Sequence, residues 1–564
     1  MGMTGAEILV KSLEDEGVET IFGLPGGTVI PLYDALYDSS IKHVLVRHEQ
    51  AAAHAADAFS RVGDKVGVCF ATSGPGATNL VTGIATANMD SSPMVAVTGQ
   101  VATAAIGKDA FQEAFILGIS MAIVKHSMQV RSTDDVPRAV HDAFFIASTG
   151  RPGPVLLDVP VDIQKASGEY RRHESSGSSY PGYPGSLPED VERLSEAGRL
   201  IRNAERPVII AGNGVNLSRA FEALREFSEN LSIPVANSLL GKGTIPYDHP
   251  NRVGMIGMHG HAAANRAITN ADVIIAVGSR LSDRSTGKVA DFGKGAHIIH
   301  IDVDCAEIRK NVETDVWLLG DASRLLRLLC EEASGHDPKK RAEWMERIRE
   351  FDESEPTARK AADGKVHPWQ VVDALDEVTR GNVIVTTEVG QNQMWAAQYH
   401  RSLHPRSFVT SGGLGTMGFG IPAAMGAHFA RPEVPVVCIA GDGSAMMNIQ
   451  ELDTYARYRM PIKVFVLDNN CLGMVRQWQE LFYKGRYSNT IYSLKPDFVK
   501  VAQGMGVDAF FVDDPAKVKQ TIERAMEIPG PALIHFAIPQ PENVFPMVPA
   551  GEPLESMIVW AQRD

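Results

Sequence analysis

The amino-acid sequence predicts an α/β protein of three domains, each with a mainly parallel sheet flanked by helices. Three observations lead to this prediction. The chain has 564 residues, which is more than one hydrophobic core usually serves. Short apolar runs alternate with helical patterns along its length, as they do in parallel sheets with crossover helices. Two stretches of linker-like composition divide the chain into segments of ordinary domain size.

The two linker-like stretches set the predicted domain boundaries. The first covers 166–190 and is rich in Ser, Gly, Pro and Tyr. The second covers 336–366 and is densely charged, although its helical pattern also fits a helix packed on a domain surface. We therefore predict domains over 1–165, 191–335 and 367–564.

Composition narrows the class of partner and the compartment. The formal net charge of -14 disfavours a nucleic acid or an anionic membrane as partner. The five cysteines form no CxxC pair, and Cys69 and Cys438 lie inside apolar runs, which favours free thiols in a reducing compartment. No apolar run reaches about 18 residues, and the N-terminus has a helical pattern rather than that of a signal peptide. We predict a cytoplasmic protein.

Most of the unusual residues follow directly after predicted strands. These strands end in the runs RHE, TSGPG and TGQ in the first segment, GNGV, GSRL and DVD in the second, and TEVG, GDGS and DNN in the third. In open parallel sheets, ligands bind beyond the carboxyl ends of the strands. The functional sites are therefore expected at these ends.

The third segment contains a candidate metal site. Asp442 and Asn469 follow two strands joined by a helix, and such strands are parallel and commonly adjacent. A carboxylate and an amide oxygen suit Mg²⁺, which keeps room for phosphate oxygens. Gly441 and Gly443 allow the backbone to approach a diphosphate, and the helix that starts after Ser444 offers free N–H groups. Taken separately, GDG is also a common turn and an Asn pair a common cap.

The combination of strand, GDGS, helix, strand and Asn469 resembles the metal-binding motif of thiamine-diphosphate enzymes. The resemblance implies that the backbone carbonyl of Cys471 joins Asp442 and Asn469 as a ligand. It also implies a thiamine-diphosphate-binding fold at both ends of the chain and a Rossmann-like middle domain. The cofactor contacts that it implies are Val389, Gly390, Gln391, Asn392, Gly415, Met417, Gly441, Gly443, Ser444, Leu472, Gly473 and Met474.

The same resemblance gives Glu49 a catalytic role. These enzymes hold a carboxylate against the aminopyrimidine ring of the cofactor, just after a strand of the N-terminal domain, and Glu49 in RHEQAAAHAADAFSR has that setting. Alone, a Glu that starts a helix is commonly a solvated residue stabilised by the helix dipole. A proton shared with the ring favours the imino form, which removes the thiazolium C2 proton. Met417 matches the apolar residue that bends the cofactor, although Met also commonly fills cores.

The resemblance narrows to the catalytic (large) subunits of acetohydroxyacid synthase, also called acetolactate synthase, and covers essentially the whole chain. It is carried by IGKDAFQEA, MIGMHGHAAAN, VGSRLSDRSTGK, VGQNQMWAAQ, GMVRQWQELFY and NVFPMVPAG. It implies that pyruvate is decarboxylated and that its hydroxyethyl unit is transferred to pyruvate or 2-oxobutyrate. The products are 2-acetolactate and 2-aceto-2-hydroxybutyrate, at the first common step of valine, leucine and isoleucine biosynthesis.

The family match also implies substrate and flavin residues. Arg284 would bind a carboxylate, and Trp478 would favour the extra methyl group of 2-oxobutyrate. Gly27, Phe111, Gln112 and Lys125 would line the substrate entrance, with Gln112 also counted as catalytic. A surface ion pair for Arg284, a core anchor for Trp478 and a solvated charge for Lys125 are the structural alternatives. FAD, which undergoes no net redox change in this family, would contact Gly212, Gly214, Gly257, Met258, His259, Gly278, Arg280 and Asp302. A flavin-free middle domain, as in catabolic acetolactate synthases, is the alternative.

Glu49 and the metal motif lie in different predicted domains. In similar enzymes the N-terminal domain of one chain completes the site on the C-terminal domain of its partner, so we predict a homodimer or tetramer. A small regulatory subunit is implied as well. The alternative functions are other thiamine-diphosphate enzymes, such as FAD-dependent pyruvate oxidase, sulfoacetaldehyde acetyltransferase or glyoxylate carboligase, and a cofactor-binding relative without activity. Glyoxylate carboligase lacks the activating glutamate, so Glu49 argues against it.

Overall fold

The computed structural model describes residues 2–174, 177–180, 183, 189–357, 359 and 363–559. It contains three six-stranded sheets whose strands all pair in parallel, and a two-stranded antiparallel pair, Met3–Thr4 with Ser167–Gly168. The predicted α/β fold class is therefore confirmed. Parts of the predicted linkers 166–190 and 336–366, and the last five positions of the predicted C-terminal domain, lie outside the described residues.

The first sheet belongs to the N-terminal part of the chain. Its strands, in spatial order, are Lys42–Leu45, Thr20–Gly23, Gly67–Ala71, Met94–Gln100, Pro154–Pro160 and His126–Gln129. The α-helices around it are Gly5–Asp15, Ile30–Tyr37, Glu49–Val62, Pro75–Asn79, Val81–Asp90, Ile116–Ser120, Val136–Ser148 and Val161–Lys165. The Glu49–Val62 helix begins where the side chain of His48 accepts a hydrogen bond from the backbone N–H of Gln50.

The middle sheet has the order Arg252–Met255, Val235–Asn237, Pro207–Ala211, Val273–Val277, His297–Asp302 and Val316–Leu319. Its α-helices are Leu194–Asn203, Asn213–Leu217, Phe221–Leu231, Ala262–Asn270, Asp283–Thr286, Ala322–Glu332 and Pro338–Ser354. The last of these lies in the charged stretch. It packs on the middle domain, where Trp344 is buried and donates a hydrogen bond to the carbonyl of Pro207 at 3.1 Å.

The C-terminal sheet has the order Phe408–Val409, Ile384–Thr387, Val436–Gly441, Lys463–Asp468, Ala532–Ala537 and Asp508–Val512. Its α-helices are Pro368–Thr379, Gln391–Tyr399, Gly420–Ala430, Asp442–Ala445, Glu451–Tyr458, Gly473–Phe482, Phe498–Gly504 and Val518–Glu527. The 3₁₀ helices of the chain are Gly27–Val29, Thr103–Ala105, Thr133–Asp135, Leu239–Gly241, Val289–Asp291, Pro515–Lys517 and Leu554–Ser556. The strands that precede Asp442 and Asn469 are hydrogen-bonded neighbours, with Gly441 opposite Leu467.

The first and third sheets are joined through two closely packed helices, Glu49–Val62 and Gly420–Ala430. A Cβ atom on Gly426 would lie 2.0 Å from the carbonyl oxygen of Ala55, so the helices meet at this spacing only because residue 426 is glycine. Their apolar side chains belong to one core that extends into both sheets. The N-terminal and C-terminal domains of one chain therefore share a rigid contact.

Among the described residues, no helix is both long enough and apolar enough to cross a membrane.

Candidate active site

A cavity of about 620 Å³ lies where the three domains meet. Among the residues predicted from the sequence, those that line it are Gly214, Met258, His259, Gly278, Arg280, Arg284, Asp302, Val389, Gly390, Gly415, Met474 and Trp478. Some residues from each of the predicted flavin, substrate and thiamine sets thus face one space. Its volume lies within the range usual for small-molecule and cofactor sites.

Asp442 and Asn469 lie at the ends of adjacent strands, and both are buried. The N–H of Cys471 donates to Asp442 Oδ2 at 3.1 Å. Asn469 donates its amide N–H to Gln391 Oε1 at 2.9 Å, which turns its amide oxygen away from Gln391. Carboxylate, amide and backbone carbonyl oxygens form a ligand set that fits Mg²⁺. In the described part of the chain, no three His, Cys, Asp or Glu side chains converge as an alternative metal site.

The charges around Asp442 also fit a cation. Burial raises the pKa of Asp442 above its usual range, and the neighbouring Asp468 adds to this increase. Burial opposes ionisation of Asp468, but hydrogen bonds from His535 and Lys495, both at 2.6 Å, outweigh it and lower its pKa. Two buried acids in contact are stabilised when a divalent cation binds beside them.

Gly473 permits a close approach beside the candidate metal ligands. A Cβ atom at residue 473 would lie 2.0 Å from Gln391 Oε1 and 2.7 Å from Asn469 Nδ2. Both amide groups are buried and hydrogen-bonded to each other, so a side chain at 473 would displace Asn469, a candidate metal ligand. The glycine therefore keeps Asn469 in place.

Gly473→Ala is expected to weaken the joint binding of Mg²⁺ and thiamine diphosphate by about tenfold or more, because disturbing the groups that orient metal ligands typically costs this much affinity. Titration calorimetry measures the effect. Gly504→Ala is the matched control, since a Cβ there meets no atom within 4 Å. Equal affinities in the two variants would contradict the role given to Gly473.

Glu49 is buried, so it is not the solvated first-turn residue of the alternative interpretation. Its Oε2 accepts a hydrogen bond from Asn79 Nδ2 at 3.0 Å, and a Cβ on Gly76 would lie 3.3 Å from its Oε1. Both neighbours belong to the N-terminal domain. No hydrogen bond found in the described residues joins Glu49 to Asp442 or Asn469.

Three more of the predicted residues surround the turn at 72–76, next to Glu49. Phe111 is 88% exposed, and a Cβ on Gly74 would lie 2.7 Å from the carbonyl oxygen of Gln112. Gly27 is exposed and follows Gly26, whose added Cβ would lie 2.5 Å from Thr72. We call Gly27, Glu49, Phe111 and Gln112 the N-terminal cluster, and Val389, Gly390, Gly415, Asp442 and Asn469 the C-terminal cluster.

Lys125 joins neither cluster, and its amine is held by polar groups of the protein. Its amine donates hydrogen bonds to the carbonyls of Ile146 and Thr149, the latter at 2.7 Å, and to the hydroxyl of Tyr183 at 3.0 Å. It thus satisfies carbonyl groups at the C-terminal end of the Val136–Ser148 helix, where a cation is favourable. Burial lowers the pKa of Lys125 to about 8.

Arg284 and Trp478 come from different domains and meet at the cavity. The guanidinium carbon of Arg284 lies 5.9 Å from the centroid of the Trp478 ring. The ion pair of Arg284 with Asp283 spans 3.9 Å between two exposed side chains, and such pairs contribute little. Arg284 and Trp478 together therefore offer a group that can bind a carboxylate beside an apolar wall.

Two of the predicted flavin residues are explained by protein packing. A Cβ on Gly212 would lie 2.2 Å from the carbonyl oxygen of Gly278, and one on Gly257 would lie 2.1 Å from that of Arg284. Neither is among the described residues that line the cavity, so glycine is required at both positions by the backbone itself. The other six predicted flavin residues do line it.

Sequence reasoning missed Arg151, which also lines the cavity. It extends from the N-terminal domain to Asp304 at 3.1 Å and to Glu307 at 2.5 Å in the middle domain. Its segment, RPGP, carries no motif. The only available signal was a basic residue just before a strand, which is too common to single out.

Family models for thiamine pyrophosphate enzymes match the chain in three places: the N-terminal TPP binding domain over 3–121, the central domain over 194–329 and the C-terminal TPP binding domain over 388–536. Thiamine pyrophosphate is another name for thiamine diphosphate. The chain is thus a thiamine-diphosphate-dependent enzyme.

Curated relatives match nearly the full chain. A probable acetolactate synthase large subunit of Methanocaldococcus jannaschii is 47% identical over 563 residues, covering 99% of this chain and 95% of that protein. The acetolactate synthase isozyme 2 large subunit of Escherichia coli is 43% identical over 556 residues, covering 99% of both. The Corynebacterium glutamicum large subunit is 45% identical over 559 residues, covering 97% of this chain and 89% of the relative. The chain belongs to the acetolactate synthase large-subunit family, which confirms the family predicted from the motifs.

Proposed function

We propose that the chain decarboxylates pyruvate and transfers the resulting two-carbon unit to a second 2-keto acid. Pyruvate as acceptor gives 2-acetolactate, and 2-oxobutyrate gives 2-aceto-2-hydroxybutyrate. This proposal rests on the cavity, which Arg284 and Trp478 line. The same cavity is lined by three of the predicted thiamine residues: Val389, Gly390 and Gly415. The names of the relatives support the same reaction.

The residues of the C-terminal cluster fit Mg²⁺ and thiamine diphosphate. Asp442, Asn469 and the carbonyl of Cys471 would hold the ion, and the open backbone at Gly390 and Gly415, with φ of +142° and +70°, would lie against the cofactor. When bound, thiamine diphosphate supplies the nucleophilic carbon and stabilises the negative charge left by decarboxylation.

The remaining steps fall to side chains of this protein. Glu49 would hold a proton on the pyrimidine ring, and Met417 would support the bend of the cofactor. Arg284 would bind the carboxylate of the acceptor through paired N–H donors, while Trp478 shapes the pocket for its alkyl group.

The middle domain fits FAD. Gly214 and Gly278 line the cavity and pack against each other, since a Cβ on Gly278 would lie 2.4 Å from the Cα of Gly214, and neither adds a side chain to this part of the wall. Arg280 and Asp302 supply polar groups to the same wall. This supports a dinucleotide site with a structural role, since the proposed reaction has no net redox change.

Assembly with a second copy would complete the site. Exposed apolar side chains lie in and near the N-terminal cluster in the sequence: Phe111 is 88% exposed, Phe115 72% and Ile30 62%. Near the C-terminal cluster, Met447, which follows the Asp442–Ala445 helix, is 52% exposed. Apolar surface of this kind marks an interface. A two-fold pair in which each N-terminal cluster covers the partner's C-terminal cluster would bury both surfaces.

The proposal also includes a second type of subunit and a location in the cell. The relatives named "large subunit" support a separate small subunit as a partner. The five cysteines are free, which supports a cytoplasmic, reducing location.

A product assay tests the reaction. The purified protein with Mg²⁺, thiamine diphosphate and FAD is given pyruvate, and acetolactate, acetate and hydrogen peroxide are measured together. Acetolactate is expected to form. Peroxide and acetate without acetolactate would identify an oxidase and overturn the proposal.

Trp478→Leu is expected to reduce the preference for 2-oxobutyrate over pyruvate by about tenfold or more, because one methylene group in an apolar pocket is worth about 1–3 kcal/mol. The ratio of the two products in a mixture of both acceptors measures this. Phe482→Leu is the control, since Phe482 lies on the same helix with its ring 6.1 Å from Trp478. An unchanged ratio in Trp478→Leu would show that the acceptor does not contact this residue.

A further inference from the structure

The segment 411–418 links strand Phe408–Val409 to helix Gly420–Ala430 and carries Gly415 and Met417. It contains four glycines, and Leu414 within it is 45% exposed. A glycine-rich loop has high conformational freedom unless other parts of the protein hold it. What holds this loop therefore decides where Met417 lies.

Asp90 holds the first part of this loop. It is the last residue of the Val81–Asp90 helix, and it is only 1% exposed. Its Oδ2 accepts a hydrogen bond from the backbone N–H of Gly412 at 3.0 Å, and its Oδ1 accepts one from Gly413 at 2.7 Å. Arg61 lies 3.0 Å from Oδ2 and balances the buried charge. Charged acceptors of this kind form the stronger hydrogen bonds of proteins.

The same helix holds the loop at a second point. Thr86, one turn before Asp90, has its hydroxyl 2.7 Å from the hydroxyl of Thr416. Residues four apart share one face of a helix. A single face of an N-terminal-domain helix thus contacts both Gly412–Gly413 and the residue directly before Met417.

The end of this helix also contacts the middle domain. Asn213 Nδ2 donates to the main-chain carbonyl of Asp90 at 2.9 Å, and Arg280 donates to the carbonyl of Met89. Asn213 and Arg280 both line the cavity on the side proposed for the flavin. A Cβ on Gly413 would lie 2.8 Å from Asp90 Oδ1, so only glycine fits this junction.

We propose that Asp90 is a positioning residue that fixes the Gly412–Gly413 turn beside the middle-domain wall of the cavity and so helps to set the position of Met417. The role of Met417 toward the cofactor rests on the proposed function. The fixing of the loop does not, and it can be measured in the cofactor-free protein.

Hydrogen exchange measured by mass spectrometry on the cofactor-free protein tests the proposal. In Asp90→Asn, an amide N–H₂ replaces one of the two carboxylate oxygens and faces either the N–H of Gly413 or the N–H of Gly412 together with Arg61, so at least one hydrogen bond is lost. The Gly412 and Gly413 amides should then exchange about tenfold faster or more, because local opening sets their protection.

Asp57→Asn is the matched control. Asp57 is equally buried and pairs with the same Arg61 at 2.7 Å, but no hydrogen bond from it to the loop is found in the described residues. Its loop should exchange as in the wild type. Equal acceleration in both variants, or none in Asp90→Asn, would overturn the proposal.

Two measurements cover the remaining outcomes. If Asp90→Asn does not fold, the wild type alone tests the proposal. Fragmentation of its exchanged peptides must show that the Gly412 and Gly413 amides exchange more slowly than those of the exposed residues Leu414 and Gly415. Equally fast exchange at all four amides would refute the role given to Asp90. With Mg²⁺ and thiamine diphosphate added, Asp90→Asn, unlike Asp57→Asn, should bind the cofactor about tenfold more weakly. Failure of the wild type to bind the cofactor would refute the proposed function and leave the exchange result standing.

Discussion

Replacing Glu49 by Gln is expected to slow turnover by about two to four orders of magnitude, the usual contribution of a positioned acid or base. Cofactor affinity should change little, because Glu49 contacts Asn79 and Gly76 rather than the metal ligands. Steady-state kinetics measures the turnover. The exchange rate of the C2 proton of bound thiamine diphosphate, followed by NMR, should fall to a similar extent.

Glu451→Gln is the matched control for this variant. The Glu451 carboxyl is buried and accepts a hydrogen bond from the N–H of Arg47 at 3.0 Å, close to Glu49 in the fold. Burial raises the pKa of Glu451 to about 7, so the neutral glutamine resembles a form that the wild type already populates. Turnover in Glu451→Gln should stay near the wild-type value. Normal C2 exchange in Glu49→Gln would remove Glu49 from the mechanism.

Replacing Asp442 by Asn is expected to reduce the joint binding of Mg²⁺ and thiamine diphosphate by about two orders of magnitude, since changes in groups that only orient metal ligands already cost 10–100-fold. The cofactor-free protein should be at least as stable as the wild type, because the buried contact between Asp442 and Asp468 then loses one acid. Calorimetric titration and thermal unfolding measure the two effects.

The Asp468→Asn variant tests whether Asp442, the candidate metal ligand, differs in its role from the neighbouring acid Asp468. Asp468 lies one position before Asn469 and is not a predicted metal ligand. Its carboxylate is hydrogen-bonded to His535 and Lys495. Its replacement by the isosteric amide should leave cofactor affinity within about tenfold of the wild type, the lower end of the cost for an indirect change. If Asp468→Asn loses binding and Asp442→Asn keeps it, the metal site has been assigned to the wrong acid.

The fold follows largely from local patterns. Buried parallel strands such as Val436–Gly441 need continuous apolar runs, and the helices between them need a period of 3.6 residues, so both are legible in the sequence. The right-handed crossover made the neighbouring strands before Asp442 and Asn469 predictable. For the charged helix Pro338–Ser354, the sequence predicts packing on a domain surface only as an alternative to a linker. Its burial depends on a few residues such as Trp344, which contacts a strand far away in the sequence.

The site was predictable where a motif carried it. The hydrogen bonds of Lys125 could not be predicted, since the carbonyl groups that accept them are set by how a helix ends in the fold. The sequence around Gly212 and Gly257 would be the same whether a ligand or the protein backbone lies close to these glycines. Asp90 and Arg151 belong to no motif, and their roles depend on contacts between domains that no local pattern encodes.

Mixing the Glu49→Gln and Asp442→Asn variants tests most directly whether each reaction centre combines the N-terminal cluster of one copy with the C-terminal cluster of another. The two inactive proteins are combined in equal amounts, allowed to exchange subunits, and assayed for acetolactate. In a mixed dimer, one centre carries both substitutions and the other carries neither. Random exchange makes half of the dimers mixed, so activity should return to about a quarter of the wild-type value. No recovery, despite mixed dimers being detected by mass spectrometry, would contradict a centre shared between two chains.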